Sequence, residues 1–574
     1  MVLLFGASVA LLSAQEPAPR AFTVVEASIA QMQQAMADGR VTSRELVQQS
    51  LTRIAFYEDP LNAAITINRR ALDEAAERDR ERAAGRVRGP LHGIPIALKD
   101  NIHTTDMPTT GGALAFAGLV PPYEATVTRR LRDAGAVIVA KTQMTELANW
   151  VTVGMPANYN SLTGYAFNPY DPRRDPRVAT RDGRPALPTG GSSSGIGTAV
   201  SFWAASVGTE TSGSILSPSN QTMLVGIKPT VGRISRYGII PITADQDTAG
   251  PMARSVADAA VVLGVLEGDA PDPNDRATGA CVPPPGRDYA RFLDRGALRG
   301  ARIGIPRAFF YDRVTPPGAA EPRPSTSPRD APGSAGGRGG LTPGQRDAME
   351  EVIAVLKQEG VTIVDPADIP SVVDPDRDGN FLAWSICSGV ENARGRDRDC
   401  SIVFKYGMKR DFGAWLASLG PAAPVKTLAE LRRWNLDHHG AGTLKYGQQN
   451  LDISDEVDLE RDRRRYEADR RKDVYVGGAH GIDEALTTHR LDALLFPGST
   501  GAALAARPGY PTVIVPFAFV PNAPTPPFPA GVDARPAPFG VSFTGTACSE
   551  PRLIALAYAF EQATRRRVAP VLFP

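Results

Sequence analysis

Apolar positions along the chain fall into two alternating spacings. Leu46, Val47, Leu51 and Ile54 share one stripe of a 3.6-residue helix, and Thr42 and Glu45 form the Thr-x-x-Glu capping box that opens it. A strongly charged helix is predicted around 68–84. In "GPLHGIPIALKDNI", Ile94, Ile96 and Leu98 then recur with period two, which predicts a short strand ending at Lys99. "EATVTRRLRDAGAVIVAKT" reads as an amphipathic helix, a stop at Gly135 and a buried strand at 136–140. Apolar runs at 493–497 and 512–517 predict further strands, and "EPRLIALAYAFEQATRRR" predicts a closing helix. Helix and strand alternating in this way imply α/β layering.

Three stretches depart from the pattern. Residues 1–20 hold an apolar run from Val2 to Leu12 followed by small residues and a Pro-containing spacer, too short to span a bilayer and patterned like the core of an export signal. No Lys or Arg precedes the run, so an apolar arm packed on the body is the competing reading. Residues 316–340 are half Pro and Gly, too poor in apolar groups to fold, and are predicted to be a disordered surface insertion. "VPNAPTPPFPAGVDARPAP" is predicted to be a second irregular loop.

Composition narrows the function classes. With 63 basic and 62 acidic residues among 574, the net charge of +1 leaves no basic footprint for nucleic acid. The basic run "LERDRRRYEADRRKD" carries interleaved acids and reads as a solvated helix face. Cys281, Cys387, Cys400 and Cys548 lie far apart without a CxxC, which indicates neither a zinc ribbon nor a dense disulfide framework. The six histidines include no HExxH, and the neighbours His438 and His439 point in different directions on a helix or a strand, so no metal site is expected. The glycine clusters lack the phosphate-binding GxxxxGK[ST] pattern, so no nucleotide cofactor is expected either.

The candidate chemistry sits in "PTGGSSSGIGTAVSFWAASVGTETSGSI", residues 188–215, where two Gly-Ser clusters bracket an apolar run. A linker would not enclose Ile196, Ala199, Val200, Phe202, Trp203 and Val207, all of which seek a core. Serine is a weak nucleophile that needs a neighbouring base, and a lysine stripped of water can supply one. Lys99, at the end of an apolar strand, is that candidate, although taken alone its local pattern is more often that of a surface lysine whose ammonium reaches solvent.

Taken in order, "GPLHGIPIALKDNI", "AKTQMTEL", "GGSSSG", "GTETSGS", "VGIKPTVGRISRYGIIP", "AGPMARSVADAA", "PGYPTVIVP" and "PFGVSFTG" resemble the amidase signature family over nearly the whole chain, nearest to its bacterial peptide-amidase-like members. The resemblance implies one large α/β domain over 21–574, a mixed, twisted central sheet flanked by helices on both sides. It implies Lys99 as general base, Ser192 as a bridging serine on an unusual cis peptide, and Ser214 as acyl-accepting nucleophile. Backbone N–H groups of Thr211, Ser212, Gly213 and Ser214 would form the oxyanion hole, and Gly190 and Gly191 would give the loop room. Ser193 and Ser194 would bond the loop, while Ser201 and Ser206 would be helix packing or polar-face residues.

Two departures from the family pattern bear on function. Ser192 and Ser214 are 22 apart, two fewer than the family leads one to expect, so the helix between them must be short and a loop must absorb the difference. Many relatives carry Arg where Leu216 stands, and its absence argues against small carboxylated amides. The resemblance therefore implies a hydrolase of linear amides other than peptide bonds, acting on a peptide-like, aliphatic or aryl amide, with ester or carbamate cleavage open; the apolar leader implies export to the periplasm or beyond, a cytoplasmic location being the alternative. It implies no cofactor, no metal, no nucleic acid partner and no membrane span, and is compatible with a homodimer. A glutaminase component of an amidotransferase and a non-catalytic protein on the same scaffold are the competing readings.

Overall fold

The computed structural model describes residues 22–180, 182–318, 338–389 and 399–574. The expected leader, 1–20, and most of the expected insertion lie outside them. Eleven strands form the central sheet: β1 (Ala64–Ile67), β2 (Pro95–Lys99), β3 (Val137–Thr142), β4 (Ala205–Glu210), β5 (Val225–Lys228), β6 (Thr248–Ala253), β7 (Arg302–Gly304), β8 (Thr362–Val364), β9 (Ala493–Pro497), β10 (Thr512–Val520) and β11 (Ala537–Thr544). Their spatial order is β1-β3-β2-β4-β6-β5-β10-β11-β9-β7-β8. β2 runs parallel to both β3 and β4, β9, β7 and β8 are mutually parallel, and the other neighbours are antiparallel, so the sheet is mixed.

Both faces of the sheet are covered because its strands alternate between two cores. Ile96, Leu98 and Ile138 enter the largest apolar cluster with Val256–Leu266 and Glu550–Thr564, whereas Ala97, Val137 and Val139 enter another with Val47 and Ile54 of helix Ser43–Leu61. The Thr42 capping box forms as predicted, with each partner bonding the other's backbone N–H. The predicted charged helix is Ala71–Ala83, and the predicted strands appear at 95–99, 137–142, 493–497 and 512–520.

Several expectations need correction. Residues 338–340 do not belong to an unfolded insertion: Arg338–Gly339 pair antiparallel with Arg313–Val314, closing the base of that segment. The basic run is not wholly a solvated face, because helix Arg463–Val474 buries Asp469 and Asp473. Asp473 accepts hydrogen bonds from Trp384 Nε1 and Ser401 Oγ and pairs with the buried Arg507. The cysteines form two disulfides, Cys281–Cys548 and Cys387–Cys400. The Pro-rich loop between β10 and β11 is irregular, as expected.

Candidate active site

Strand alternation sends Lys99 to the same face as Ala97. The parallel register of β2 on β4, Ile96 opposite Ala205 and Leu98 opposite Val207, then carries Lys99 to Thr209. Both strands end here, at Lys99 and Glu210, so the loops that follow them open on one edge of the sheet, where ligands of open α/β sheets bind.

Lys99 is fully buried. Its Nζ lies 2.8 Å from Thr209 Oγ1, 3.2 Å from the Thr209 carbonyl and 3.1 Å from Ser192 Oγ. Burial pushes its pKa down from 10.5 to about 7, against the opposing pull of Asp247 and Glu210. A neutral amine has two N–H donors and one lone pair. With both donors spent on Thr209, the lone pair is left for the Ser192 hydroxyl. Ser192 Oγ in turn lies 2.8 Å from Ser214 Oγ, so a continuous line of hydrogen bonds joins the half-buried Ser214 to the buried amine.

Glycine explains how the two clusters meet. Gly190 has φ +93°, and a Cβ there would fall 2.4 Å from Pro218 Cα; one on Gly191 would fall 2.9 Å from Ser214 Cα. Any side chain at either position would force the two loops apart and break the Ser192 to Ser214 contact. Ser193 ties the first loop to β4, accepting from the Thr209 N–H at 3.1 Å and donating to the Thr209 carbonyl at 3.0 Å. Ser194 Oγ is buried without a hydrogen-bond partner among the described residues, so a loop-bonding role fits Ser193 alone.

The short spacing between the serines is absorbed as the sequence requires. The helix between the clusters is a single turn, Ile196–Ala199, followed by an irregular link in which Ser201 takes a left-handed conformation, φ 57°. Ser201 Oγ accepts from the Glu26 N–H, and Ser206 lies on β4 against Thr198, so neither is a helix residue as expected. A second expectation fails: the peptides around Ser192 are trans, and the only cis bonds among the described residues precede Pro366 and Pro526.

The turn holding Ser214 is organised by Glu210, a residue that motif reading left without a role. Its Oε2 accepts the N–H groups of Ile215 at 2.8 Å and Leu216 at 3.0 Å. Of the four expected oxyanion donors, the N–H groups of Ser212 and Ser214 make no hydrogen bond among the described residues. Thr209 and Asn101, whose Nδ2 donates to Thr209 Oγ1 at 3.1 Å, were also missed. The available signals were a lone carboxylate inside a run of Gly, Ser and Thr, and an amide two residues beyond the lysine. Leu216 packs against Ala502 and Ile514, an apolar setting at the point where an arginine would hold a carboxylate.

The family model for amidases matches residues 45–321. An amidase-named protein of Arthroderma benhamiae is 32% identical over 538 residues, which span 92% of this chain and 80% of that one. A glutamyl-tRNA(Gln) amidotransferase component of Chloroflexus aurantiacus is 39% identical over 336 residues, 58% of each protein. Among solved structures, the native peptide amidase from Stenotrophomonas maltophilia superposes with a TM-score of 0.75 at 35% identity, covering 95% of this chain and 98% of that one. With identity of this order sustained over nearly the full length of both sequence and fold, the chain belongs to the amidase family.

Proposed function

We propose that the protein hydrolyses linear amides through Ser214, with Ser192 and Lys99 as its proton relay. The observation that carries this reading is the unbroken line of hydrogen bonds joining Lys99 Nζ, Ser192 Oγ and Ser214 Oγ, anchored on an amine whose pKa burial lowers to about 7. Ser214 Oγ attacks the amide carbon while its proton passes to Ser192, whose own proton passes to Nζ. The oxyanion is held by the N–H groups of Ser212 and Ser214, each worth on the order of 3 kcal/mol. The C–N bond then breaks as the proton returns along the relay to the leaving nitrogen, and water releases the acid from the Ser214 ester.

The substrate class is a carboxamide with a peptide-like, aliphatic or aryl acyl side and no obligatory carboxylate. The apolar surroundings of Leu216 and the likeness to a peptide amidase support it. The test is turnover of a panel of peptide carboxamides, aliphatic amides, anilides, glutamine and one ester, beside fluorophosphonate labelling. Ammonia release from a C-terminal carboxamide with labelling at Ser214 is expected. Turnover of glutamine alone would favour an amidotransferase component, for which the match over 58% of the chain speaks. A folded protein that neither turns over nor labels would be a non-catalytic scaffold.

The compartment proposed is an exported one. All four cysteines are paired, as persists in oxidising surroundings, and the apolar run at 2–12 precedes the folded body. Fractionation of the native host with N-terminal sequencing is expected to find protein beginning beyond residue 12 outside the cytoplasm; full-length cytoplasmic protein with free thiols would overturn this.

A further inference from the structure

A small cavity of about 10 Å³, room for one water centre, is lined by Asn101, Thr209, Thr211, Arg236 and Asp247 and by three isoleucines among others. Thr209 and Asn101 are the residues that hold the lysine: Thr209 takes both contacts from Nζ other than Ser192, and Asn101 donates to the same Thr209 hydroxyl. Asn101 Oδ1 is buried without a partner among the described residues. Asp247 is held by the N–H groups of Ile242 at 2.9 Å and Thr243 at 3.0 Å and by the Thr211 hydroxyl. Asp247 thus lines the same small cavity as Thr209 and Asn101, the two residues that hold the lysine.

We propose that Asp247 is a positioning residue of the relay: lining with Thr209 and Asn101 a cavity sized for one water, its carboxylate balances the ammonium form of Lys99 against the neutral form. The inference rests on the proposed role of Lys99 as base. Lys99 is acted on by two carboxylates, Asp247 and Glu210, of which Glu210 is also drawn to Lys228. Asp247 itself is faced by Arg236, which is paired with Asp275, and by Asp411, which is paired with Arg410. Burial pushes the Asp247 carboxyl up to about 7, so it and Lys99 are both poised to change charge near neutral pH. Removing the negative charge removes a stabiliser of the ammonium, so Lys99 should give up its proton at a lower pH.

The experiment is the pH profile of kcat/KM on the best amide of the panel, for the wild type, Asp247→Asn and Asp247→Glu. The expected result is an acid limb displaced to lower pH by about one pH unit in Asp247→Asn, the order expected on removing one buried charge near the lysine. Asp247→Glu, which keeps the charge, should keep the limb near that of the wild type. A limb unmoved in Asp247→Asn overturns the proposal, whatever happens to the plateau rate. Equal displacement in Asp247→Glu overturns it too, because charge would then not be the cause. If Asp247→Asn does not fold, Thr211→Val is read instead: loss of its hydroxyl donor should protonate Asp247 more readily and move the limb in the same direction, and an unmoved limb there overturns the proposal. A wild type with no turnover would instead sink the hydrolase reading, so the two failures are distinct.

Discussion

Ser214→Ala is expected to lower kcat by at least about 10⁴-fold, the scale on which a hydrolase loses rate when its nucleophile is removed. The side chain is half-buried at the mouth of the relay, and its Oγ is bonded to that of Ser192, so truncation should leave the fold intact. Labelling by a fluorophosphonate should vanish with the rate, since Ser192 and Ser193, both nearly inaccessible, have no open approach to an electrophile. The double variant Ser214→Ala with Lys99→Met should be little worse than the single one, because residues that act as a unit do not contribute additively. A Ser214→Ala protein that keeps its rate within tenfold, or still labels, would move the chemistry to another serine. Ser192→Ala should then be the variant that loses it.

The parts of this site differ in how far sequence could disclose them, and the difference is physical. The strand at 493–497 and the end of β2 at Lys99 were legible because alternation and short apolar runs bounded by Gly and Pro are local signals. The burial of Lys99 was not, since a lysine ending a strand looks the same whether solvent or a second strand covers it. What buries it is the register of β4 and the folding back of the 190–194 loop, contacts about a hundred residues away in the chain. Only the resemblance to a family joined Lys99 to the serines.

Glu210, Thr209 and Asp247 were missed for a related reason. Each acts through backbone or buried partners brought together by tertiary packing, and none carries a spacing of its own. The bond between Cys281 and Cys548, 267 residues apart, is invisible to spacing altogether. The expected cis peptide failed where a carried-over property replaced a local argument.

Lys99→Met should separate the chemical role of the amine from its structural role. Methionine fills a similar length without a charge or a strong acceptor, so Ser192 would lose the lone pair that receives its proton. A fall in kcat/KM of roughly 10³-fold or more is expected, near the upper range of general-base contributions. The residual rate should lack the rise through about pH 7 that the proposed role of this lysine as base predicts for the wild type. Stability should move the other way. The folded state holds Lys99 near 7 while an unfolded chain holds it near its ordinary 10.5, so between those values the unfolded chain binds more protons and wild-type stability climbs with pH. Below about 7 the cost of burying the amine is fully present, and it fades as pH approaches 10.5. Lys99→Met removes that cost, so its Tm should exceed that of the wild type at pH 6, with the gap narrowing by pH 10. A variant that is inactive and also less stable at pH 6 would mean that the bonds of Nζ to Thr209 outweigh the desolvation of the amine. Lys99 would then be a structural brace of the two loops, and its effect on rate would be read through Ser192 alone.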